Sequence, residues 1–309
     1  MPNPAILPTL LRETIGPRRL AARVLEGGAM DGADRVADYA KSGREPGIMA
    51  ASYLFHAARI TQTISGARFV IDLGCGPATQ LAQVARVNPR TSFLGVDLSA
   101  DMIAAARAHV REQGLENVTF RCDDISRLDG FGDASVDGVV STMALHHLPS
   151  LDHLAACFRA IARVLKPGGA LYLVDFGLLK SERSIAHFVA ENRPHQSAEF
   201  SLEFEQSMKA AFMPDELGLL ARAHLPRGTA FHRTFQIPLL NVAKSPDRPI
   251  APELLARFRE LRAALPAPYK RQLDDMRLFF WLGGLRNDPF RRRLRAFSPV
   301  AQAETSPSA

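Results

Sequence analysis

The sequence predicts an α/β protein built on a doubly wound parallel sheet, and three observations predict it. From about Ile60 to Ser245, short runs rich in β-branched residues alternate with amphipathic stretches, the pattern of strands joined by covering helices. One apolar strand runs into Gly74-Cys75-Gly76 and then a helix, as at the ligand-binding edge of open α/β sheets. Three successive strands end in acids, at Asp72, at Asp97 and at Asp123-Asp124.

The elements follow in order. Residues 1–59 read as an N-terminal helical lid, whose stretch from Asp38 to Tyr53 can fold over a ligand at the sheet edge. Residues 60–245 form the core, with strands expected at Phe69–Leu73, Ser92–Val96, Val118–Cys122, Val136–Ser141 and Ala170–Phe176. Ser99 is placed as an N-cap for the helix that follows, and Gly114 as its stop. A helix over Leu154–Leu165 closes at Lys166-Pro167-Gly168-Gly169. The stretch Leu178–Leu225 is a mostly helical insert, and Thr229–Phe235 and Ile237–Ala243 form the last pair of strands. Residues 246–297 form a C-terminal helical appendage, with helices over Pro252–Ala264 and Tyr269–Trp281, and 298–309 have the composition of a disordered tail.

Composition bounds the function. At 309 residues with 47% hydrophobic content, the chain can bury a sizeable core without staples. Cys75, Cys122 and Cys157 are widely spaced, with no CxxC or Cys/His cluster, so neither a disulfide framework nor a zinc site is expected, and a reducing cytoplasm fits. Nowhere do about 18 apolar residues stand together, which argues against a membrane span. The charge of +6 gathers mainly at Arg286–Arg295 without interleaved aromatic platforms, so it reads as a solvated face and nucleic acid is not expected as a partner.

The run FVIDLGCGPATQLAQVA (69–85) carries the chemistry. Gly74 and Gly76 let the backbone turn tightly and approach a ligand, and the following helix offers free N–H groups to an anionic end. In the nicotinamide fingerprint the sixth position is a glycine, but here it is Thr79. Asp72 would crowd a pyrophosphate, yet it can orient the ammonium of an amino-acid moiety, directly or through water. S-adenosylmethionine (SAM) has that end. Asp97, about twenty residues beyond the turn, stands where a carboxylate accepts both ribose hydroxyls. Asp123 or Asp124 can accept from the adenine amine, and Ile125 can cover the ring. Cys75 in the turn and Leu98 after Asp97 complete the candidate cofactor set, with Tyr39 of the lid as a contact to the methionine end.

On these residues the chain resembles class I SAM-dependent methyltransferases, in the style of the ubiquinone/menaquinone and other small-molecule enzymes. The likeness covers roughly Val36 to Ala243. DLGCG (72–76) resembles the glycine motif, Asp97 the ribose-binding acid and CDDI (122–125) the adenine contact, with Asp124 the better aligned. DGVVSTMALHHL (137–148) resembles the fourth-strand motif and LKPGGALYLVD (165–175) the fifth strand with its turn. The resemblance implies a Rossmann-like seven-stranded sheet with an antiparallel last strand, to which IPLLNVAKS is assigned. Ala78 stands where many members have a third glycine.

Methyl transfer from a sulfonium is a displacement in which alignment supplies much of the catalysis. A base is needed only where the acceptor arrives protonated with a high pKa. The candidates are His146, His147 and Asp175, at the ends of the fourth and fifth strands; His187 and His195 read as surface residues. The fourth strand lacks the [DN]PP[YF] motif of base-amino methylation, no Pro-Cys pair serves C5 attack on a pyrimidine, and no metal cluster is expected. A small-molecule acceptor is therefore expected, with O, N and S all open. Two other readings stand beside methyl transfer, namely SAM-driven cyclisation or aminoalkyl transfer, and a SAM-binding interaction module. The aromatic patch MRLFFWLGG (276–284) is either a wall of the acceptor pocket or a packing surface, and the latter reading includes a homodimer through the C-terminal helices.

Overall fold

The apolar alternation resolves into seven strands in the computed structural model, which describes residues 4–20, 23–26, 32, 35–37, 39–40 and 49–291. They are β1 Phe69–Leu73, β2 Ser92–Asp97, β3 Val118–Cys122, β4 Val136–Thr142, β5 Leu165–Phe176, β6 Ala230–Arg233 and β7 Leu240–Lys244. The sheet order is β3-β2-β1-β4-β5-β7-β6. The first five strands pair in parallel, while β7 runs antiparallel to both β5 and β6. This is the Rossmann-like sheet with an antiparallel last strand that the sequence implies.

Both faces of the sheet are covered, which is why the central strands read as nearly continuous apolar runs. Val70 faces a cluster built with helices α2 (Ala50–Ile64), α3 (Thr79–Val87) and α4 (Ala100–Glu112). Its neighbour Ile71 points the other way, towards α5 (Leu151–Val164). The insert supplies α6 (Glu182–Asn192), α7 (Ala198–Ala210) and α8 (Pro214–His224), and the last two helices are α9 (Pro252–Ala264) and α10 (Ala267–Leu282). A short helix α1 (Leu7–Thr14) follows a 3-10 turn at Pro4–Ile6 near the start of the described chain. No described helix is long and apolar enough to cross a membrane.

Several boundaries move for local reasons. Ser99 caps α4 as expected, its Oγ accepting from the Met102 N–H at 3.1 Å. Helix α5 starts at Leu151 rather than Leu154, because Ser150 caps it through the His153 N–H. Strand β5 starts at Leu165, not Ala170, since Leu165 already pairs with Val136 across a register shift. Strand β7 starts at Leu240, three residues later than expected. Pro238 has no N–H to donate, Gln236 is left-handed (φ 62°), and Thr234 Oγ1 takes the Leu240 N–H at 3.1 Å while donating to Ile237 O.

The C-terminal helices are anchored on α2. Phe55 stacks on Phe280 with ring centroids 5.2 Å apart. Arg59, fully buried, donates to the carbonyls of Leu285, Arg286 and Asn287 and so clamps the chain beyond α10. In the stretch 38–53, residues 38 and 41–48 lie outside the described residues, as does the predicted tail 298–309.

Candidate functional site

The turn after β1 takes positive φ at Gly74 (68°), Gly76 (50°) and Ala78 (61°). A Cβ on Gly74 would lie 2.2 Å from the Ala144 Cβ, so the turn and the loop after β4 touch only because that side chain is missing. A Cβ on Gly76 would meet nothing within 4 Å. That open face borders a cavity of about 400 Å³ at the carboxyl edge of the sheet. Asp97 ties the first two strand ends together, accepting from the Gly76 N–H at 2.8 Å and the Ser99 N–H at 3.0 Å.

Most of the predicted cofactor residues meet at this cavity. Tyr39, Gly74, Cys75, Gly76 and Asp97 line it, and so do Leu98, Asp124 and Ile125. Asp123 does not line it; its carboxylate is turned back onto the Asp124 N–H at 2.8 Å, which leaves Asp124 as the acid of the pair at the cavity. Asp72 is also absent from the lining. It lies buried behind the turn with Oδ1 unpartnered, and burial, then the charge of Asp97, pushes its carboxyl up to about 8. Asp97 is likewise raised by burial, against the opposing pull of its backbone hydrogen bonds. Burial, followed by Asp72 and Asp97, pushes the Cys75 thiol well up, so Cys75 serves as an uncharged wall.

Other wall residues carry no motif. Tyr53 and His56 come from α2, and Gln80 from the first turn of α3, where its Nε2 donates to Tyr53 O at 3.2 Å. Burial, then Arg59, lowers His56 to about 3, so it stands neutral and shares a 2.8 Å hydrogen bond with the Tyr172 hydroxyl. Burial, followed by the charges of Glu26, Glu203 and Asp97, pushes the Tyr39 hydroxyl up to about 12.

The three predicted catalytic residues separate. Only His147 lines the cavity. His146 and Asp175 are buried beside it, at 2% and 3% exposure. Asp175 is committed to holding its neighbours, accepting from His146 Nδ1 at 2.6 Å, the His146 N–H at 2.9 Å and the Phe176 N–H at 2.6 Å. Its oxygens thus hold His146 and the end of β5, and it does not line the cavity.

A residue without any sequence signal completes this cluster. Glu26 Oε2 lies 2.8 Å from His147 Nδ1, and Oε1 lies 3.9 Å from His146 Nε2. Burial alone would raise Glu26, but its hydrogen bond to His147 and the charges of His147 and His146 bring it below the usual range. Burial by itself would lower His147, yet Glu26 outweighs it and leaves the imidazole raised. Arg23 holds the segment in place, donating to the carbonyls of His146, Leu148 and Ala210 while its guanidinium stacks on Phe212. Glu26, His146 and His147 bring three potential ligand atoms within 4.8 Å of one another, a grouping that the sequence spacing does not show.

A second cavity, of about 270 Å³, adjoins the first and shares Met49, Ser52 and Met143 with it. Its aromatic lining comes from β5 (Phe176), the insert (Phe188, Phe200, Phe204) and α10 (Phe279). Met276 and Phe279 thus make part of the C-terminal patch a pocket wall, while Phe280 packs inward on Phe55. Leu278 and Leu282 remain exposed. His187 lines neither cavity, and the side chain of His195 lies outside the described residues.

Residues 70–169 match a family model described as a methyltransferase domain. Over 158 residues the chain is 32% identical to methyltransferase GfsG of Streptomyces halstedii, covering 51% of this chain and 55% of that protein. Over 105 residues it is 43% identical to trans-aconitate 2-methyltransferase of Deinococcus radiodurans, covering 33% of this chain and 35% of that one. The chain thus spans about half or less of the length of these curated relatives. A solved SAM-dependent methyltransferase from Aquifex aeolicus aligns over 69% of this chain and 97% of its own, at 16% identity and a TM-score of 0.49.

Proposed function

We propose that the protein, whose residues 70–169 match a methyltransferase-domain family model, is a class I SAM-dependent methyltransferase that moves the methyl group of SAM to a small, largely apolar acceptor bound in the second cavity. The single observation that carries this reading is the junction of the two cavities. The cavity bounded by the glycine turn and strand-end acids and the cavity bounded by phenylalanines share Met49, Ser52 and Met143, so two ligands can meet there.

The residues fit the cofactor. Asp72 lies behind the turn and off the cavity lining, so its unpartnered Oδ1 would reach a ligand's cationic amino-acid end through water, and the open face of Gly76 admits that end against the backbone. Asp97 would accept the ribose hydroxyls through charge-assisted bonds, while Asp124 and Ile125 would hold and cover the adenine. Bound there, SAM supplies an electrophilic methyl group on a sulfonium.

The chain's own contribution is chiefly alignment, because a displacement gains most from holding its two partners in line. The phenylalanine walls exclude water and orient an apolar body, while Asn192, Gln196 and Thr234 offer a few polar contacts for selectivity. His147, backed by Glu26, stands at the cavity to take a proton from a hydroxyl or amine acceptor. The lid, the insert and the C-terminal helices select the acceptor in this reading, since each contributes wall residues outside the core.

The test is incubation of the full chain with methyl-labelled SAM and a panel of phenols, thiols, amines and carboxylates on apolar scaffolds. Label in an acceptor with release of S-adenosylhomocysteine is expected. Release of methylthioadenosine with no labelled acceptor would overturn methyl transfer in favour of cyclisation or aminoalkyl transfer.

A further inference from the structure

We propose that Glu26, His146 and His147 bind one divalent transition-metal ion, zinc by the character of the donors, at the wall of the cofactor cavity. The ligand atoms already stand close to the required spacing. Zinc bonds of about 2.0–2.1 Å in a tetrahedral shell hold their ligand atoms about 3.3–3.4 Å apart. Here Glu26 Oε2 and His147 Nδ1 are 2.8 Å apart, and Glu26 Oε1 and His146 Nε2 are 3.9 Å apart, on either side of that value.

Two unsatisfied atoms point to a ligand. Glu26 Oε1 and His146 Nε2 are both buried without a hydrogen-bond partner, although they face each other across that gap. A buried polar atom left unpaired is costly because it has lost its water without gaining a partner, and a cation between them would satisfy both. His146 is also prepared as a ligand. Asp175 takes the proton on Nδ1, which fixes the ring and turns the lone pair of Nε2 towards Glu26, the carboxylate–histidine arrangement that supports metal-bound imidazoles.

The surrounding charge favours a cation. Asp175 and Asp97 act on His147 together with Glu26, whereas Arg23 is the opposing cation and is occupied by the carbonyls of His146, Leu148 and Ala210. Two imidazoles and a carboxylate suit zinc better than magnesium, which prefers oxygen donors. Three protein ligands also leave one coordination position, as catalytic zinc sites do. Since His147 lines the cofactor cavity, the ion would lie at its wall and lower the pKa of an acceptor hydroxyl or thiol bound to it. In that state the ion replaces the proton shared by Glu26 and His147. The binding site does not depend on methyl transfer taking place.

The experiment uses the full chain freed of metal by chelator dialysis. Calorimetric titration with zinc chloride should show one equivalent bound, and cobalt chloride should produce the visible bands of four-coordinate cobalt(II). Glu26→Gln and His146→Gln should each weaken zinc binding at least tenfold, while His224→Gln, outside the cluster, should leave it unchanged. No stoichiometric binding, or binding unaffected by both cluster substitutions, would overturn the proposal. If a variant fails to fold, the cobalt spectrum of the unaltered protein decides, because bands of six-coordinate cobalt or none at all contradict the site. A SAM titration on the same metal-free protein tests the cofactor reading separately.

Discussion

The two cavities that meet at Met49, Ser52 and Met143 are built on different principles. The cofactor side is mostly backbone and short-range motif, with Gly74, Gly76, Asp97 and Asp124 all at strand ends within about fifty residues of one another. The acceptor side is side-chain surface collected from β5, the insert and α10, stretches separated by up to a hundred residues. A site made of backbone geometry fails abruptly when its few special positions change. A site made of side-chain surface changes by degrees, and so can be retuned.

Substitutions on each side can break or sharpen that contrast. The largest effect is expected for Gly74→Ala. It combines a left-handed φ with a 2.2 Å encounter with Ala144, so strain and overpacking together cost about 3 kcal/mol. Denaturant unfolding should show the loss of stability, and SAM affinity should fall about a hundredfold in calorimetry; unchanged values would mean the turn is not constrained as described. Asp97→Ala comes next, with a loss of about 2 kcal/mol in SAM binding, or roughly thirtyfold, and no change in acceptor preference.

Asp72 gives the cofactor side a pH signature. Its carboxyl stands at about 8 when folded, far above its ordinary 3.8, so the folded chain holds a proton that the unfolded chain has released. Stability from this group is therefore full below about pH 4 and declines as pH rises to about 8. A cationic ligand favours the ionised carboxyl but must keep its own α-amine protonated, with an ordinary pKa of about 8, so SAM affinity should rise about threefold from pH 7 to pH 8 and gain nothing further by pH 9. Asp72→Asn should flatten that dependence in calorimetry, and an equally steep profile in the variant would assign the proton elsewhere.

On the acceptor side, Phe279→Ala should raise the KM for a bulky acceptor about fivefold, as expected for loss of one aromatic contact of roughly 1 kcal/mol, while SAM affinity stays within twofold. A parallel loss of SAM affinity would show that the cavities are coupled and not separable. The smallest effect is Ala78→Gly. Ala78 caps α3 in the left-handed region, so glycine should stabilise the protein by about 1 kcal/mol in thermal unfolding without altering either ligand.

The same contrast explains what could be read from the sequence. Five strands, the cap at Ser99 and the glycine turn follow from local periodicity and local chemistry, and Asp97 and Asp124 follow from the strands that carry them. The exact end at which β7 begins was hidden because it depends on Thr234 Oγ1 closing a loop onto Leu240 and Ile237. Glu26 was hidden more deeply, since its partners His146 and His147 lie about 120 residues away and nothing around it marks a motif. His146 and His147 were legible as a pair, but only the folded chain shows that His147 lines the cavity while His146 lies buried on Asp175.

The guanidinium of Arg23 has a consequence for the order in which this protein is made. Its three acceptors are carbonyls of residues 125 and 187 positions downstream and of the neighbouring His146, and the Arg19 and Val24 N–H groups bond to Lys180 O and Lys209 O. A ribosome emits the early segment first, yet every carbonyl that fastens it belongs to chain not yet synthesised. The segment bearing Glu26 gains its full set of fastenings only after the insert through Ala210 has emerged. The five parallel strands and their glycine turn, all before residue 177, can form before then, so a nascent protein acquires its cofactor edge before Glu26 is fully fastened beside His146 and His147.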